Sequence, residues 1–208
     1  KNCSIFPGSV ISAIPQDLKF NGEDSLVVIN DNTTIRECVT INRGTSDRGE
    51  TTIGKNCLIM AYCHVAHDCI IGDNCIFSNN STLAGHVSVG NHAILAGFVA
   101  VHQFCSIGDH AFIAGGSLVR KDIPPYVKAA REPISYVGIN SVGLRRRGFK
   151  ASKIQEIQNI YRILFQNKYN NSQAADIIEA ELAATPERDE ILQFIKNSQR
   201  GIMKGYFQ

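Results

Sequence analysis

The chain has 208 residues, of which 44% are hydrophobic, and its formal net charge is +2. This composition excludes wholesale disorder, and so small a charge does not indicate a nucleic-acid partner. No apolar run approaches the roughly 18 residues that span a bilayer, and the first residues lack a signal-peptide core. Seven cysteines, none in a Cys-x-x-Cys pair, favour reduced core thiols, so we expect a cytoplasmic protein without a transmembrane segment.

A repeat of six residues runs through the first two thirds of the chain. One phase of the repeat is aliphatic or Phe at every position: Ile53, Ile59, Val65, Ile71, Phe77, Leu83, Val89, Leu95, Val101, Ile107, Ile113 and Val119. A small or slim residue follows four places after each, and five of the seven cysteines fall in this second phase. Hexapeptide repeats form parallel β-helices, so we predict a β-helix over residues 1–130. Three hexads make one coil, which stacks residues 18 apart in columns spaced about 4.8 Å.

Some segments leave this repeat. Residues 16–25 and 45–52 interrupt the apolar phase and are expected to form loops. The repeat starts in mid-pattern, and because solenoids end in capping turns, further N-terminal coils are expected. Beyond residue 125 the apolar spacing becomes helical, which predicts a small α-helical domain over residues 131–208.

Three helices are predicted in this second domain. Ser152 and Gln155 have the spacing of a capping box in front of a first amphipathic helix. A second helix follows. The third is expected to begin at Thr185, with Pro186 at the first helical position, and to end near Gly201. These helices would cover the last coil of the β-helix.

Stacking by 18 residues also predicts a candidate site. Three segments that each contain a histidine, residues 66–68, 84–86 and 102–104, should lie above one another on one edge of the β-helix. Gly85 falls in the column of His67, which leaves an open notch beside the imidazole. This arrangement predicts a reaction centre at that edge.

Two chemistries remain open for the histidine cluster. In the first, His67, His86 and His102 bind zinc, as in hexapeptide-repeat carbonic anhydrases. In the second, one histidine is the general base of an acyl transfer, because a reference pKa near 6.5 suits proton abstraction. Asp68 would stabilise the imidazolium in the second case and orient a zinc ligand in the first. Gly85 would serve a tight corner, offer its backbone N–H to an oxyanion, or do both.

Other chemistry-bearing residues have simpler explanations. His92 and His110 lie outside the stacked segments and are expected to be solvated. Arg145, Arg146 and Arg147 begin a local basic cluster, which a solvated helix face would explain equally well.

Several motifs resemble the UDP-N-acetylglucosamine acyltransferase family. They are Gln16-Asp17-Leu18-Lys19, Asn42-Arg43-Gly44-Thr45, His64-Val65-Ala66-His67-Asp68-Cys69, Leu83-Ala84-Gly85-His86-Val87, Val101-His102-Gln103-Phe104 and Gly143-Leu144-Arg145-Arg146-Arg147-Gly148-Phe149. The resemblance covers essentially the whole chain. It implies left-handed coils, although parallel crossovers are generally right-handed. The expected fold is therefore mainly β, a left-handed parallel β-helix followed by a small C-terminal α-helical domain.

The resemblance implies transfer of a 3-hydroxyacyl group from acyl carrier protein to the glucosamine 3-hydroxyl of UDP-N-acetylglucosamine, the first step of lipid A biosynthesis. His67 would be the general base, Asp68 would assist it, and the backbone N–H of Gly85 would stabilise the oxyanion. Gly115 matches the position that sets acyl length, and a glycine there would leave a long groove. The family's substrate contacts fall on Gln16, Asp17, Lys19, His64, His86, His102, Gln103, Asn140, Arg146 and Arg147.

The resemblance also implies a homotrimer with sites in the clefts between subunits. It implies no permanently bound cofactor and no metal, because phosphopantetheine arrives with the acyl carrier protein, an acidic partner that the basic cluster would suit. Asn42 and Val142 depart from the family pattern, which commonly has His and Glu there. Three alternatives stay open: the related UDP-3-O-acylglucosamine N-acyltransferase, a zinc-dependent carbonic anhydrase, and a noncatalytic scaffold.

Overall fold

A computed structural model of the chain describes residues 1–166 and 169–205, which form three sheets of short strands. The first sheet contains β1 (Ser4–Ile5), β4 (Thr34–Ile35), β7 (Leu58–Ile59), β10 (Ile76–Phe77), β13 (Ile94–Leu95), β16 (Phe112–Ile113), β18 (Val127–Ala130), β19 (Ser135–Ile139) and β20 (Lys204–Gly205). The second contains β2 (Val10–Ala13), β5 (Thr40–Asn42), β8 (His64–Val65), β11 (Thr82–Leu83), β14 (Ala100–Val101) and β17 (Leu118–Val119). The third contains β3 (Leu26–Ile29), β6 (Glu50–Ile53), β9 (Ile70–Ile71), β12 (Ser88–Val89) and β15 (Ser106–Ile107).

Successive strands visit the three sheets in turn, so each triplet of strands makes one coil. Parallel pairing joins residues 18 apart, as in Ile76 with Ile94, which confirms the predicted stacking. Thr34 pairs with Leu58 instead, because that coil contains the loop after β5. The chain forms the predicted left-handed parallel β-helix followed by a small helical region.

The core of the β-helix is the predicted apolar phase of the repeat. Every member of that phase from Ile53 to Val119 is at most 3% exposed. The cysteines of the second phase are also buried, from Cys57 to Cys105, whereas Cys3 and Cys38 are exposed. Among the described residues all seven thiols are free.

The three corners between the sheets are named here for later use. The Gly115 corner, residues 60–63, 78–81, 96–99 and 114–117, joins the first sheet to the second. The His67 corner, residues 66–69, 84–87 and 102–105, joins the second sheet to the third. The His110 corner, residues 54–57, 72–75, 90–93 and 108–111, joins the third sheet to the first.

The third residue of each corner segment has a left-handed backbone. Asp68, His86 and Phe104 have φ values of 59°, 63° and 63° on the His67 corner, and Asn and His hold the same position on the His110 corner. Asn, Asp and His tolerate this conformation better than other non-glycine residues. The left-handed backbone thus favours these residue types at the corners, although Phe104, Tyr62 and Phe98 hold the same position in other segments.

The first part of the C-terminal region forms strands, and not the helix that the sequence predicts. Residues 127–130 and 135–139 continue the first sheet as strands before any helix forms, and β19 runs antiparallel to β18. The division of the chain at residue 130 therefore stays a prediction. In the part of the chain that the structure describes, four helices follow: α1 (Ser141–Arg146), α2 (Ala151–Gln166), α3 (Asn171–Glu181) and α4 (Pro186–Asn197).

The helix termini correct several details. α2 begins at Ala151, so Ser152 lies inside the helix and cannot be its cap, while Gln155 bonds to Asn159. The capping box lies at α3, where the Asn170 side chain and Gln173 bond each other's backbone N–H groups. The predicted cap of α4 by Thr185 with Pro at the first position is confirmed. That helix ends at Asn197, short of the predicted Gly201.

The helices cover the last coil, as predicted. The Tyr161 hydroxyl of α2 donates to the carbonyl of Pro125 at 2.6 Å, and Ser198 donates to Asp122 at 2.6 Å. Within the described residues, no helix combines the length and the apolar character that crossing a membrane requires. The loop predicted over residues 45–52 is shorter than expected, because β6 resumes the repeat at Glu50.

Candidate active site

The notch predicted beside His67 is present on the His67 corner. A Cβ built on Gly85 would lie 2.6 Å from both Nε2 and Cε1 of His67, so only glycine leaves room for the ring. Gly85 lies one coil further along the column that contains His67. Its carbonyl accepts the N–H of Phe104 at 3.1 Å. Among the described residues, no acceptor is paired with the Gly85 N–H. The imidazole therefore lies directly over Gly85, in space that any larger residue would fill, with an unpaired backbone N–H in the same residue.

His67 and Asp68 form a hydrogen-bonded dyad. His67 Nδ1 lies 2.7 Å from Asp68 Oδ2, and the two side chains are 12% and 0% exposed. Burial raises the pKa of Asp68, but the bonds from His67 and from Thr45 outweigh it and hold the pKa below its ordinary value. An ionised carboxylate only accepts hydrogen bonds, so Nδ1 carries the hydrogen and Nε2 presents its lone pair. That tautomer suits a general base aimed at the notch.

His86 lies between two carboxylates. Its Nδ1 is 3.2 Å from Asp47 and its Nε2 is 3.7 Å from Asp68. The ring stacks on Phe104 with centroids 4.5 Å apart and meets the His67 ring edge-on at 5.1 Å. His86 thus joins the dyad as predicted, whereas the roles of Asp47 and Phe104 were not predicted.

The other two histidines near this corner differ. His64 is half-buried, and its Nδ1 lies 2.7 Å from the Thr40 hydroxyl. Burial lowers the pKa of His64, and the nearby His67 lowers it further. His102 is exposed, with Nδ1 3.1 Å from the Gln103 carbonyl.

The ligand set predicted for zinc is wrong in one member. Among the described residues, the three side chains whose ligand atoms lie within 4.8 Å of one another are His67, Asp68 and His86. His102 lies one coil further along the column and is not among them. Asp68 takes its place because His67 and His86 converge on a single carboxylate oxygen.

A cavity of about 290 Å³ opens beside His86 and Phe104. Its opposite wall is the first loop, which contributes Asp17, Lys19 and Phe20. The Lys19 side chain is exposed, and its backbone N–H bonds to the Asp17 carboxylate at 3.0 Å. Two of the three predicted loop residues thus meet the histidine cluster; Gln16 is exposed and does not line this cavity.

The remaining predicted residues lie on other corners. Asn140 donates to the carbonyl of His110 at 2.9 Å, and Arg147 donates to the carbonyl of His92 at 3.0 Å, both on the His110 corner. Arg146 is exposed beside them on α1. Gly115 is exposed on the corner that bears its name, where a Cβ would lie 3.1 Å from the Gly97 carbonyl. Within one chain, the structure does not bring these four residues to His67.

His92 and His110 are not the solvated residues that the sequence suggests. Their rings stack with centroids 4.7 Å apart, and His110 also stacks on Tyr126 at 5.5 Å. Burial, then His92 and Arg147, lowers the pKa of His110 to about 4. The six-residue period that aligns these rings in one column was visible in the sequence.

Two protein-family models match parts of the chain, and one of them covers His67 and Gly85. A model described as UDP N-acetylglucosamine O-acyltransferase, domain 2, matches residues 122–203. A second model, for the bacterial transferase hexapeptide with six repeats, matches residues 50–85. The two matches cover the C-terminal region and the coils that contain His67 and Gly85.

Individual relatives extend over most of the chain. The acyl-[acyl-carrier-protein]–UDP-N-acetylglucosamine O-acyltransferase of Aquifex aeolicus is 53% identical over 96% of this chain and 77% of its own length. The Myxococcus xanthus protein of the same name is 45% identical over 96% and 78%. The crystal structure of the UDP-N-acetylglucosamine acyltransferase from Bacteroides fragilis aligns with a TM-score of 0.96 and 51% identity, over 98% of this chain and 80% of that one. The chain therefore belongs to the UDP-N-acetylglucosamine O-acyltransferase family.

Proposed function

We propose that the chain transfers a 3-hydroxyacyl group from acyl carrier protein to the glucosamine 3-hydroxyl of UDP-N-acetylglucosamine, the first step of lipid A biosynthesis. The observation that supports this reaction best is the His67–Asp68 dyad, whose free Nε2 faces the notch at Gly85. Acyl transfer to a hydroxyl needs a base beside an oxyanion donor, and this corner offers both.

His67 acts as general base in this proposal. Its Nε2 takes the proton of the sugar hydroxyl while that oxygen attacks the thioester carbonyl carbon. The negative charge that develops on the carbonyl oxygen is stabilised by the Gly85 N–H. The C–S bond then breaks, the ester forms, and the imidazolium returns its proton to the leaving phosphopantetheine thiolate. Asp68 stabilises the imidazolium between the two proton transfers.

The acceptor is held by groups around this dyad. Asp17 and Lys19 of the first loop line the cavity beside His86, which suits the hydroxyls and phosphates of a sugar nucleotide. Gln16, His64, His102 and Gln103 stay predicted contacts on the same side of the β-helix.

A homotrimer completes the site. Asn140, Arg146 and Arg147 lie on the His110 corner of their own chain, so they reach a sugar nucleotide at His67 only if a second chain supplies them. The Arg fork suits diphosphate recognition. Gly115, which lies on another corner, also belongs to a site completed by a second chain, where it sets the acyl length. Because it has no side chain, the groove that takes the acyl chain is long.

We place the reaction in the cytoplasm. The free thiols of the described residues are typical of a reducing compartment. The donor is acyl carrier protein, which delivers the phosphopantetheine arm with the acyl group, so the chain itself holds no resident cofactor.

The test is acyl transfer by the purified chain. It is given UDP-N-acetylglucosamine and a panel of 3-hydroxyacyl carrier proteins, products are read by mass spectrometry, and His67→Ala is assayed in parallel. We expect one 3-hydroxyacyl ester on the UDP-sugar with wild type and a loss of at least about 1,000-fold in rate with the variant. Thermal melting shows whether the variant folds.

Other outcomes would separate the alternatives. An amide on a 3-O-acylated UDP-glucosamine acceptor identifies the N-acyltransferase reaction. Bicarbonate formation that depends on stoichiometric zinc identifies a carbonic anhydrase. Full transfer by His67→Ala contradicts the assigned base.

A further inference from the structure

The loop between β5 and β6 is bonded directly to the His67–Asp68 dyad. Thr45, in this loop, gives its backbone N–H to Asp68 Oδ1 at 2.9 Å and its hydroxyl to Asp68 Oδ2 at 2.8 Å. Thr45 is 6% exposed and Asp68 is fully buried, so these bonds are largely shielded from solvent. The hydroxyl of Thr45 and the Nδ1 of His67 therefore share one carboxylate oxygen.

The direction of the Thr45 hydroxyl is fixed by a second bond. A hydroxyl has one proton to donate, and the oxygen of Thr45 accepts the N–H of Asp47 at 3.2 Å. The proton of Thr45 is then left for the Asp68 carboxylate. A continuous chain runs from the Asp47 N–H through the Thr45 hydroxyl and the Asp68 carboxylate to His67.

The backbone of Asp68 is held by the same segment. Its N–H donates to the Thr51 hydroxyl at 2.9 Å, and its carbonyl accepts Arg48 Nη1 at 2.7 Å. With the main chain fixed in this way, the carboxylate can still rotate about its own bond to Cβ. The two Thr45 bonds, one to each oxygen, remove that remaining freedom.

We propose that Thr45 is a positioning residue of the acyl-transfer site, which acts through Asp68 by locking the plane of its carboxylate. This inference rests on the proposed function for its rate effect. In the locked plane, Oδ2 lies 2.7 Å from Nδ1 of His67, and Nε2 of the ring lies beside Gly85. Thr45 bonds to Asp68 and not to His67. It also lines the cavity beside His86, so a direct role in acceptor binding would appear in KM, whereas the positioning role appears in kcat.

The first test compares Thr45→Val with Thr45→Ser. Valine keeps the shape and the backbone N–H but loses the hydroxyl, whereas serine keeps the hydroxyl. We expect Thr45→Val to lower kcat about 10- to 100-fold, as for a lost bond to a charged group, with KM for UDP-N-acetylglucosamine changed less than about threefold. Thr45→Ser should retain most of the wild-type kcat.

Thr33→Val is the matched control. Thr33 is buried, as Thr45 is, and its hydroxyl likewise makes two bonds, to the Gly54 carbonyl and from the Cys57 N–H, on a different corner. We expect this variant to lower the melting temperature and leave kcat near wild type. An equal fall in kcat for the Thr33 and Thr45 variants would show a general loss of stability and overturn the proposal.

A double-mutant cycle then asks whether Thr45 works through Asp68. In an Asp68→Asn background, Thr45→Val should cost less than about twofold further, because the carboxylate on which it acts is gone. If the fold loss in kcat of the double variant equals the product of the losses in the two single variants, the two residues act independently and the proposal is overturned. If Thr45→Val does not fold, Thr45→Ala, which also lacks the hydroxyl, takes its place in both tests.

A readout without turnover separates this inference from the proposed function. In protein labelled with ¹⁵N-histidine, the ring nitrogens of wild type and Thr45→Ser should show His67 protonated at Nδ1, and those of Thr45→Val a mixture of tautomers. A single unchanged tautomer in Thr45→Val overturns the positioning role, even if transfer is confirmed. A mixture in a chain that transfers no acyl group upholds the positioning role and rejects the reaction.

Discussion

Gly85 illustrates how one missing side chain shapes the candidate site. We expect Gly85→Ala to lower kcat by about 100-fold or more, because a Cβ 2.6 Å from His67 must displace the imidazole. Gly97 holds the same phase on the Gly115 corner, where the nearest atom to a Cβ is 3.4 Å away, so Gly97→Ala is the matched control. Steady-state kinetics and melting curves of both variants check the prediction. Wild-type kcat in Gly85→Ala would mean that the notch is not needed.

The residues of the dyad and its notch could be predicted from the sequence, but their supports could not. Gly85 stands 18 residues after His67, and an unbroken period of six is enough to stack them. Thr45 and Asp47 lie in a loop that interrupts the period, so no spacing rule relates them to Asp68. Only the path of that loop in three dimensions brings them to the carboxylate.

At the scale of elements, the stacked rings of the His110 corner link stability to pH. Burial holds the pKa of His110 near 4, below the value of about 6.5 in an unfolded chain. Between pH 4 and pH 6.5 the unfolded chain binds this proton more readily than the folded chain does. The contribution of the neutral His110 stack to the free energy of unfolding is therefore complete above pH 6.5 and falls as the pH drops to 4. The charged neighbours are Arg147 and Asp109, which act in opposite directions.

We therefore expect His110→Asn to flatten part of this dependence. Asparagine suits the left-handed backbone at this position, where φ is 58°. Chemical denaturation at several pH values between 7 and 4 measures the free energy of unfolding of both proteins. The wild type should lose more stability than the variant over that range; parallel curves would contradict the assigned protonation.

The elements themselves were predicted unevenly, for physical reasons. The strands of the β-helix follow from the buried phase of the repeat, and α4 follows from Thr185 and Pro186. β19 was missed because it extends the sheet with an antiparallel strand that has no hexapeptide period. The histidine stack was missed because the outward corner position, which changes from Asn in two coils to His in the next two, has a left-handed backbone that was not considered.

At the scale of the whole molecule, the proposed homotrimer predicts that each site takes residues from two chains. We expect chains with His67→Ala and chains with Arg146→Ala, each inactive alone, to recover activity when they assemble together. In a random 1:1 trimer about one quarter of the sites receive an intact His67 from one chain and an intact Arg146 from its neighbour. Activity of the co-assembled, doubly tagged protein measures this recovery. No recovery would place the whole site within one chain.

The parallel register of the coils gives the molecule a property that few folds share. Each coil bonds only to the coils next to it, so the separation between the His67 dyad and α1, the helix that ends at Arg146, depends on the number of coils between them. One coil inserted between them would lengthen that separation by about 4.8 Å and leave both surfaces chemically unchanged. The distance between the two surfaces can therefore change only in steps of one coil. We expect a variant with 18 added residues to favour a longer acceptor without a change to either surface.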